Sequence, residues 1–148
     1  GACRYSPDGA RSWGPLRPKL TTARPDPAVL GAAPCYVMIE DRAGVENVAA
    51  IAAVPGVTGI LAGPADLALD LYGDPYLASD PRTVDALMPV VVACRDNGIT
   101  AGVFCGTGNV DRWHTAGFAM LAVESDTTLL LTAARRAAAD ARAQLDSV

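Results

Sequence analysis

The sequence predicts an α/β fold with a parallel sheet, and two features of the 148-residue chain indicate it. Four short apolar runs, each bounded by turn residues, are typical of strands that are buried on both faces. The segments between and after these runs carry the apolar spacing of helices. A regular alternation of strand and helix favours parallel strands joined by right-handed crossovers.

The first strand follows a long stretch that is rich in Pro, Gly and Arg. Residues 1–34 show little periodicity and are predicted to form a long loop, with one short helix near residues 28–32. A loop of this length within a compact domain is often functional. After it we expect a strand over residues 35–39 and a helix over residues 44–54, which ends at Pro55-Gly56.

The rest of the chain repeats this alternation. Strands are predicted over residues 57–62, 100–105 and 118–123, and helices over residues 67–71, 81–96, 109–116 and 127–145. Asp80-Pro81 is a typical helix start, since an acid at the N-cap is followed by proline at the first helical position. Four such β/α units form half of an eight-fold β/α barrel or a small open sheet.

Composition and charge exclude several classes of protein. The net charge of −4 offers no support for nucleic-acid binding. No apolar run reaches the roughly 20 residues that span a bilayer, and residues 1–5 do not resemble a signal peptide, so we expect a cytoplasmic protein. The four cysteines form no CxxC pair and are expected to be reduced and mostly buried. The single histidine, His114, lies in a stretch typical of helix packing, and we assign it no catalytic role.

Two carboxylates lie where predicted strands end. Glu40 closes the first strand, and Asp66 follows the second. The carboxyl ends of parallel strands carry the chemistry of α/β folds, and two acids there suit one hard divalent cation. Two structural alternatives remain open: Glu40 could cap the next helix or pair with Arg42, and Asp66 could be a helix N-terminal acid favoured by the macrodipole.

The segment around Asp66 has a second use. Gly63 permits close approach of the backbone. The helix that follows it would direct free N–H groups at the same place, which favours an anion. We therefore expect a substrate carboxylate at the amides of Ala65 and Asp66.

Four segments, in order along the chain, carry a family resemblance. They are residues 4–14 (RYSPDGARSWG), 38–47 (MIEDRAGVEN), 56–68 (GVTGILAGPADLA) and 123–130 (VESDTTLL). Together they resemble the HpcH/HpaI aldolase family, the class II, metal-dependent pyruvate aldolases. The resemblance covers nearly the whole chain.

The resemblance implies a (β/α)8 TIM barrel of roughly 250 residues. This chain corresponds to about the last four β/α units, with residues 1–34 as a long loop leading into the barrel and residues 35–148 as the C-terminal half of the aldolase domain. In the family an arginine and a histidine of the first four units act on the substrate. Neither has a counterpart here, so the catalytic residues stay unassigned, and we expect a homo-oligomer or a partner that supplies the N-terminal half-barrel.

The resemblance also assigns the site. It implies that Glu40 and Asp66 bind a divalent metal, Mg²⁺ or Mn²⁺, with Co²⁺ also compatible. It places the small-molecule 2-oxo acid substrate at Gly63, Pro64, Ala65, Asp66 and Phe104. The implied reaction cleaves or forms a carbon–carbon bond of a 4-hydroxy-2-oxo acid, giving pyruvate (or a similar 2-oxo acid) and an aldehyde.

Two other functions stay open. The citrate lyase β-subunit and malyl-CoA lyase branch uses the same two acids on acyl-CoA thioesters, although the ending Asp126-Thr127-Thr128-Leu129-Leu130 argues against it. A non-catalytic association module is the other, because half a barrel exposes two sheet edges and an apolar face.

Overall fold

The structure, a computed structural model, describes residues 4–14 and 18–146. Its four strands form one parallel sheet in chain order. The strands are β1 (Tyr36–Ile39), β2 (Gly59–Ala62), β3 (Thr100–Phe104) and β4 (Met120–Ala122). The helices are α1 (Pro27–Gly31), α2 (Arg42–Glu46), α3 (Val48–Ala52), α4 (Pro64–Tyr72), α5 (Pro81–Asp96), α6 (Val110–Thr115) and α7 (Asp126–Asp146), and 3₁₀ turns cover Pro18–Leu20, Pro75–Ser79 and Thr107–Asn109. The predicted alternation of strands and helices is confirmed.

The core lies between one face of the sheet and the helices that cover it. The register pairs Ile39 with Ala62 and Ala62 with Val103, and all three residues are buried. Leu87 and Val90 of α5 belong to the same buried cluster. Since side chains alternate along a strand, this face takes every second residue.

The opposite face of the sheet remains open among the described residues. It presents Tyr36, Met38 and Phe104, whose exposed fractions are 39%, 57% and 48%. A parallel sheet is normally covered on both faces. The open apolar face therefore agrees better with the interior of half a barrel than with a small open sheet.

The helix predicted over residues 44–54 is instead two short helices, α2 and α3. Asp41 caps α2, since its Oδ1 accepts a hydrogen bond of 2.6 Å from the Gly44 amide, and the helix therefore begins at Arg42. Asn47 separates the two helices, and its Nδ2 donates to the Ala43 carbonyl at 2.8 Å. An asparagine side chain that bonds its own backbone competes with helix continuation.

Other element boundaries moved by a few residues. Helix α4 begins at Pro64 rather than residue 67, because proline is favoured at the first helical position. Helix α5 begins and ends where predicted, and Asp80 caps it with a 2.9 Å bond from the Arg82 amide. Helix α7 begins at Asp126 rather than residue 127, and Ser125 caps it, since its Oγ accepts a hydrogen bond of 3.2 Å from the Thr128 amide.

Helix α7 is exposed along its length, whereas two of the cysteines are buried. No residue of α7 is buried, and its Leu130 is 73% exposed. Cys94 and Cys105 are buried and outside any disulfide, as expected, and burial raises the pKa of both thiols. Cys3 lies outside the described residues. Within the described part of the chain, no helix is long and apolar enough to cross a membrane.

Candidate functional site

A cleft of about 450 Å³ opens at the carboxyl edge of the sheet. It is lined by the ends of β1, β2 and β3 and by the segments that follow them: Met38, Leu61, Ala62, Gly63, Pro64, Ala65, Asp66, Ala78, Ser79, Phe104, Cys105, Gly106 and Asn109. All five residues predicted to bind substrate are among them. A second cavity, of about 390 Å³, lies between residues 4–8 and α1 and is not lined by the strand ends.

Glu40 lies against Gly63, a residue of the cleft lining, although Glu40 itself is not in that lining. A Cβ built on Gly63 would lie 3.2 Å from the Glu40 Oε2, so the carboxylate occupies the space that the glycine leaves. The structural alternatives for Glu40 are not observed. Asp41 caps α2, and the Arg42 amide bonds the Asp70 carboxylate at 2.9 Å. Glu40 is exposed, and among the described residues its carboxylate has neither a hydrogen bond nor an ion pair.

Asp66 lies in the first turn of α4, where the macrodipole favours an acid. Its side chain is exposed and has no hydrogen-bond partner within residues 4–14 and 18–146. The first α4 amide to bond into the helix is that of Leu67, to the Gly63 carbonyl at 3.1 Å. The amides of Ala65 and Asp66 thus belong to the unbonded helix start, which is an anion-binding arrangement beside the cleft.

This donor set suits a hard cation. Glu40 and Asp66 are exposed carboxylates without partners in the described part of the chain, and Mg²⁺ or Mn²⁺ takes one or two carboxylates and keeps several waters. The described residues contain no group of three or more His, Cys, Asp and Glu side chains placed to hold a metal. A closed zinc site with four protein ligands therefore has no counterpart among them.

Several residues that line the cleft were not predicted from the sequence. Ala78 and Ser79 come from the 3₁₀ turn after α4, and no local signal in the sequence links that turn to the strand ends. Cys105 directly follows β3 and Asn109 ends the 3₁₀ turn after it, so the rule that strand ends build the site could have found them. The Cys105 Sγ approaches the Ala122 carbonyl at 3.6 Å, and burial raises the pKa of the thiol, which does not favour a nucleophile.

The loops after β3 and β4 are joined at the same edge. The Thr107 hydroxyl donates to the Glu124 carboxylate at 2.7 Å. The Asn109 side-chain amide donates to the Cys105 carbonyl at 3.5 Å. These bonds hold the loop after β3 in the shape that lines the cleft.

Comparison with known families gives one match. The profile of the HpcH/HpaI aldolase/citrate lyase family covers residues 1–133. This agrees with the resemblance stated from the four sequence segments.

Individual relatives match over the same stretch. A hydroxypyruvate/pyruvate aldolase of Rhizorhabdus wittichii is 38% identical, and the match covers 96% of this chain and 58% of the relative. A 4-hydroxy-2-oxo-heptane-1,7-dioate aldolase of Escherichia coli is 32% identical over 99% of this chain and 58% of its own length. The chain thus spans about half the length of the curated relatives it matches.

A solved structure supports the fold class. A HpcH/HpaI aldolase/citrate lyase family protein of Burkholderia cenocepacia superposes with a TM-score of 0.67 and 31% identity, covering 95% of this chain and 57% of that protein. The expected TIM-barrel family is confirmed, with the four-stranded sheet as a partial barrel.

Proposed function

We propose, on the premise that this chain belongs to the HpcH/HpaI aldolase/citrate lyase family, that it forms half of the active site of a carbon–carbon lyase. The reaction would cleave a carbon–carbon bond of a 4-hydroxy-2-oxo acid to give pyruvate, or a similar 2-oxo acid, and an aldehyde, or would form that bond in the reverse direction. The observation that carries the proposal is the position of Glu40 against Gly63, which lines the cleft together with Asp66.

Glu40 and Asp66 would hold the divalent cation, Mg²⁺ or Mn²⁺. When bound, such a cation supplies Lewis-acid stabilisation of the negative charge that develops on the enolate oxygen. The amides of Ala65 and Asp66 would bind the substrate carboxylate. Met38 and Phe104 would cover the carbon chain and exclude water from it.

A second part of the molecule would complete the site. None of the described residues that line the cleft is a histidine, lysine or arginine. The side chain that moves the proton and the positively charged side chain that orients the substrate would therefore come from elsewhere. The open apolar face of the sheet supports an N-terminal half-barrel in that place. The exposed leucines of α7 support association with a second copy as well.

The proposed location is the cytoplasm. Cys94 and Cys105 are thiols rather than disulfides, which is typical of a reducing compartment.

Calorimetric titration with MnCl₂ and MgCl₂, with and without pyruvate, tests the proposal. We expect metal binding that pyruvate strengthens, its loss in Asp66→Ala, and unchanged binding in Asp85→Ala, which removes an exposed carboxylate of α5. Circular dichroism would verify that both variants keep the fold. Absence of binding, or equal affinity in Asp66→Ala, would reject the metal site and favour the non-catalytic association module.

A further inference from the structure

Arg112 links two walls of the cleft that lie far apart in the sequence. One wall is the end of the 3₁₀ turn, with Ala78 and Ser79; the other is the loop after β3, with Asn109 at its end. The Arg112 Nη1 donates a hydrogen bond to the Ser79 carbonyl. Since α6 starts directly after Asn109, its first turn and this guanidinium connect both walls.

The turn Pro75–Ser79 is held at its other points by different residues. The Asp74 carboxylate accepts from the Tyr76 amide at 2.9 Å and caps the turn at its start. The buried Thr83 hydroxyl donates to the Leu77 carbonyl at 2.7 Å and ties its middle to α5. Among the hydrogen bonds of the described residues, only that of Arg112 joins the end of the turn to the α6 side of the cleft.

The charges around this contact favour it. The pKa of Asp80 lies below its ordinary value, mainly because the Arg82 side chain and amide bond its carboxylate, and the Arg112 charge contributes in the same direction. Arg112 therefore lies near an anionic carboxylate as well as a carbonyl oxygen. A hydrogen bond from a charged donor is stronger than one between neutral groups.

We propose that Arg112 is a positioning residue that sets the width of the cleft. It would keep Ala78 and Ser79 close to the loop after β3, and so limit the space beside Phe104 that the carbon chain of the substrate enters. This inference rests on the proposed function, since it takes the cleft as the substrate site. Arg112 itself is absent from the cleft lining, so it would affect the substrate indirectly, by holding Ala78 and Ser79 in place.

The cleft contains its own reporter of this width. Cys105 lines the cleft and is 6% exposed, whereas Cys94, a buried residue of α5, is 1% exposed and not in the lining. In Arg112→Ala we expect iodoacetamide to label Cys105 about tenfold faster. This factor corresponds to the loss of one hydrogen bond to a charged group, which would make opening of the cleft wall easier. Labelling of Cys94, followed by mass spectrometry in the same sample, should stay unchanged.

Two further variants separate positioning from folding. Arg112→Lys keeps the charge and one donor, and should restore most of the slow labelling of Cys105. Arg95→Ala removes an exposed arginine whose ion-pair partner among the described residues is the adjacent Asp96, at 3.1 Å, and should leave both thiols unaffected. Unchanged Cys105 labelling in Arg112→Ala, or a parallel rise at Cys94, would overturn the inference.

Ligand binding gives the functional readout. In the presence of MnCl₂, Arg112→Ala should weaken pyruvate binding about fivefold, a loss smaller than that of a full charged hydrogen bond, with the affinity for Mn²⁺ alone unchanged. Faster Cys105 labelling with unaltered pyruvate affinity would refute the role in positioning substrate. If the unsubstituted chain binds no pyruvate, the proposed function fails, while the labelling rates still decide whether Arg112 fixes the wall.

Discussion

The Glu40 side chain lies directly against the backbone of Gly63. A Cβ at position 63 would stand 2.9 Å from the Glu40 Cβ and 3.2 Å from its Oε2. The φ of Gly63 is −106°, which any residue adopts, so space rather than backbone conformation favours glycine here. This close approach brings the carboxylate that follows β1 to the start of α4, three residues before Asp66.

Gly63→Ala should therefore displace Glu40. We expect the affinity for Mn²⁺ to fall about tenfold while the free energy of unfolding drops by about 1–3 kcal/mol, the usual cost of an extra methyl group in a filled space. Calorimetry and urea unfolding measure the two quantities. Gly108→Ala is the matched control, because a Cβ there meets nothing within 4 Å; equal Mn²⁺ affinity in both variants would contradict the relationship.

Two glycines of the central strands should differ in their tolerance of alanine. A Cβ on Gly59 would lie 2.5 Å from the Thr100 carbonyl, which is backbone and cannot move aside. On Gly102 the nearest atom is the end of the flexible Met120 side chain. We expect a loss of about 3 kcal/mol for Gly59→Ala and about 1 kcal/mol for Gly102→Ala, measured by urea unfolding.

The Gly14→Ala variant controls for the change in backbone entropy, because its Cβ would enter open space. A Cβ on Gly59 would also lie 2.5 Å from the Tyr36 ring. The reverse order, with Gly102→Ala the more damaging, would show that the Tyr36 ring and the Thr100 backbone are displaced more easily than the Met120 side chain.

Thr83 carries a buried hydroxyl that donates to the Leu77 carbonyl at 2.7 Å, its one acceptor within residues 4–14 and 18–146. Thr83→Val keeps the shape and removes the donor, so the variant should lose about 1–2 kcal/mol of unfolding free energy. Urea unfolding measures this, with the exposed Thr132→Val of α7 as the control. Equal stability of the two variants would mean that water replaces the hydroxyl.

Asp80 should make the stability of α5 depend on pH. Its pKa is lowered, first by the hydrogen bond from the Arg82 side chain, so the folded state holds its proton less tightly than the unfolded state. The stabilisation is therefore present above the ordinary carboxyl pKa of about 4 and disappears as the pH falls through the lower folded value.

The Asp80→Asn variant tests this by thermal unfolding between pH 7 and pH 3. The Tm of the unsubstituted chain should exceed that of the variant at neutral pH, and the difference should shrink on acidification. A difference that stays constant over this range would assign the effect of Asp80 to capping geometry rather than charge.

Local patterns in the sequence were enough to predict the alternation of strands and helices and to place two acids at strand ends. Apolar runs and turn residues act over a few neighbours, so the start signal at Asp80-Pro81 and the helical spacing over residues 81–96 placed α5 correctly. The parallel order of the strands followed from the same alternation, because helical crossovers between neighbouring strands leave few topologies.

Which acid stays without a partner, and which residues line the cleft, depended on tertiary packing. Glu40 and Asp41 are adjacent, and the backbone geometry at α2 gave the cap to Asp41 and left Glu40 against Gly63. Ser79 lies at the cleft because a 3₁₀ turn places it there, and Arg112, 33 residues later in the chain, donates a hydrogen bond to the Ser79 carbonyl. Such contacts depend on how helices pack on the sheet, and that packing follows from the whole core rather than from any local pattern.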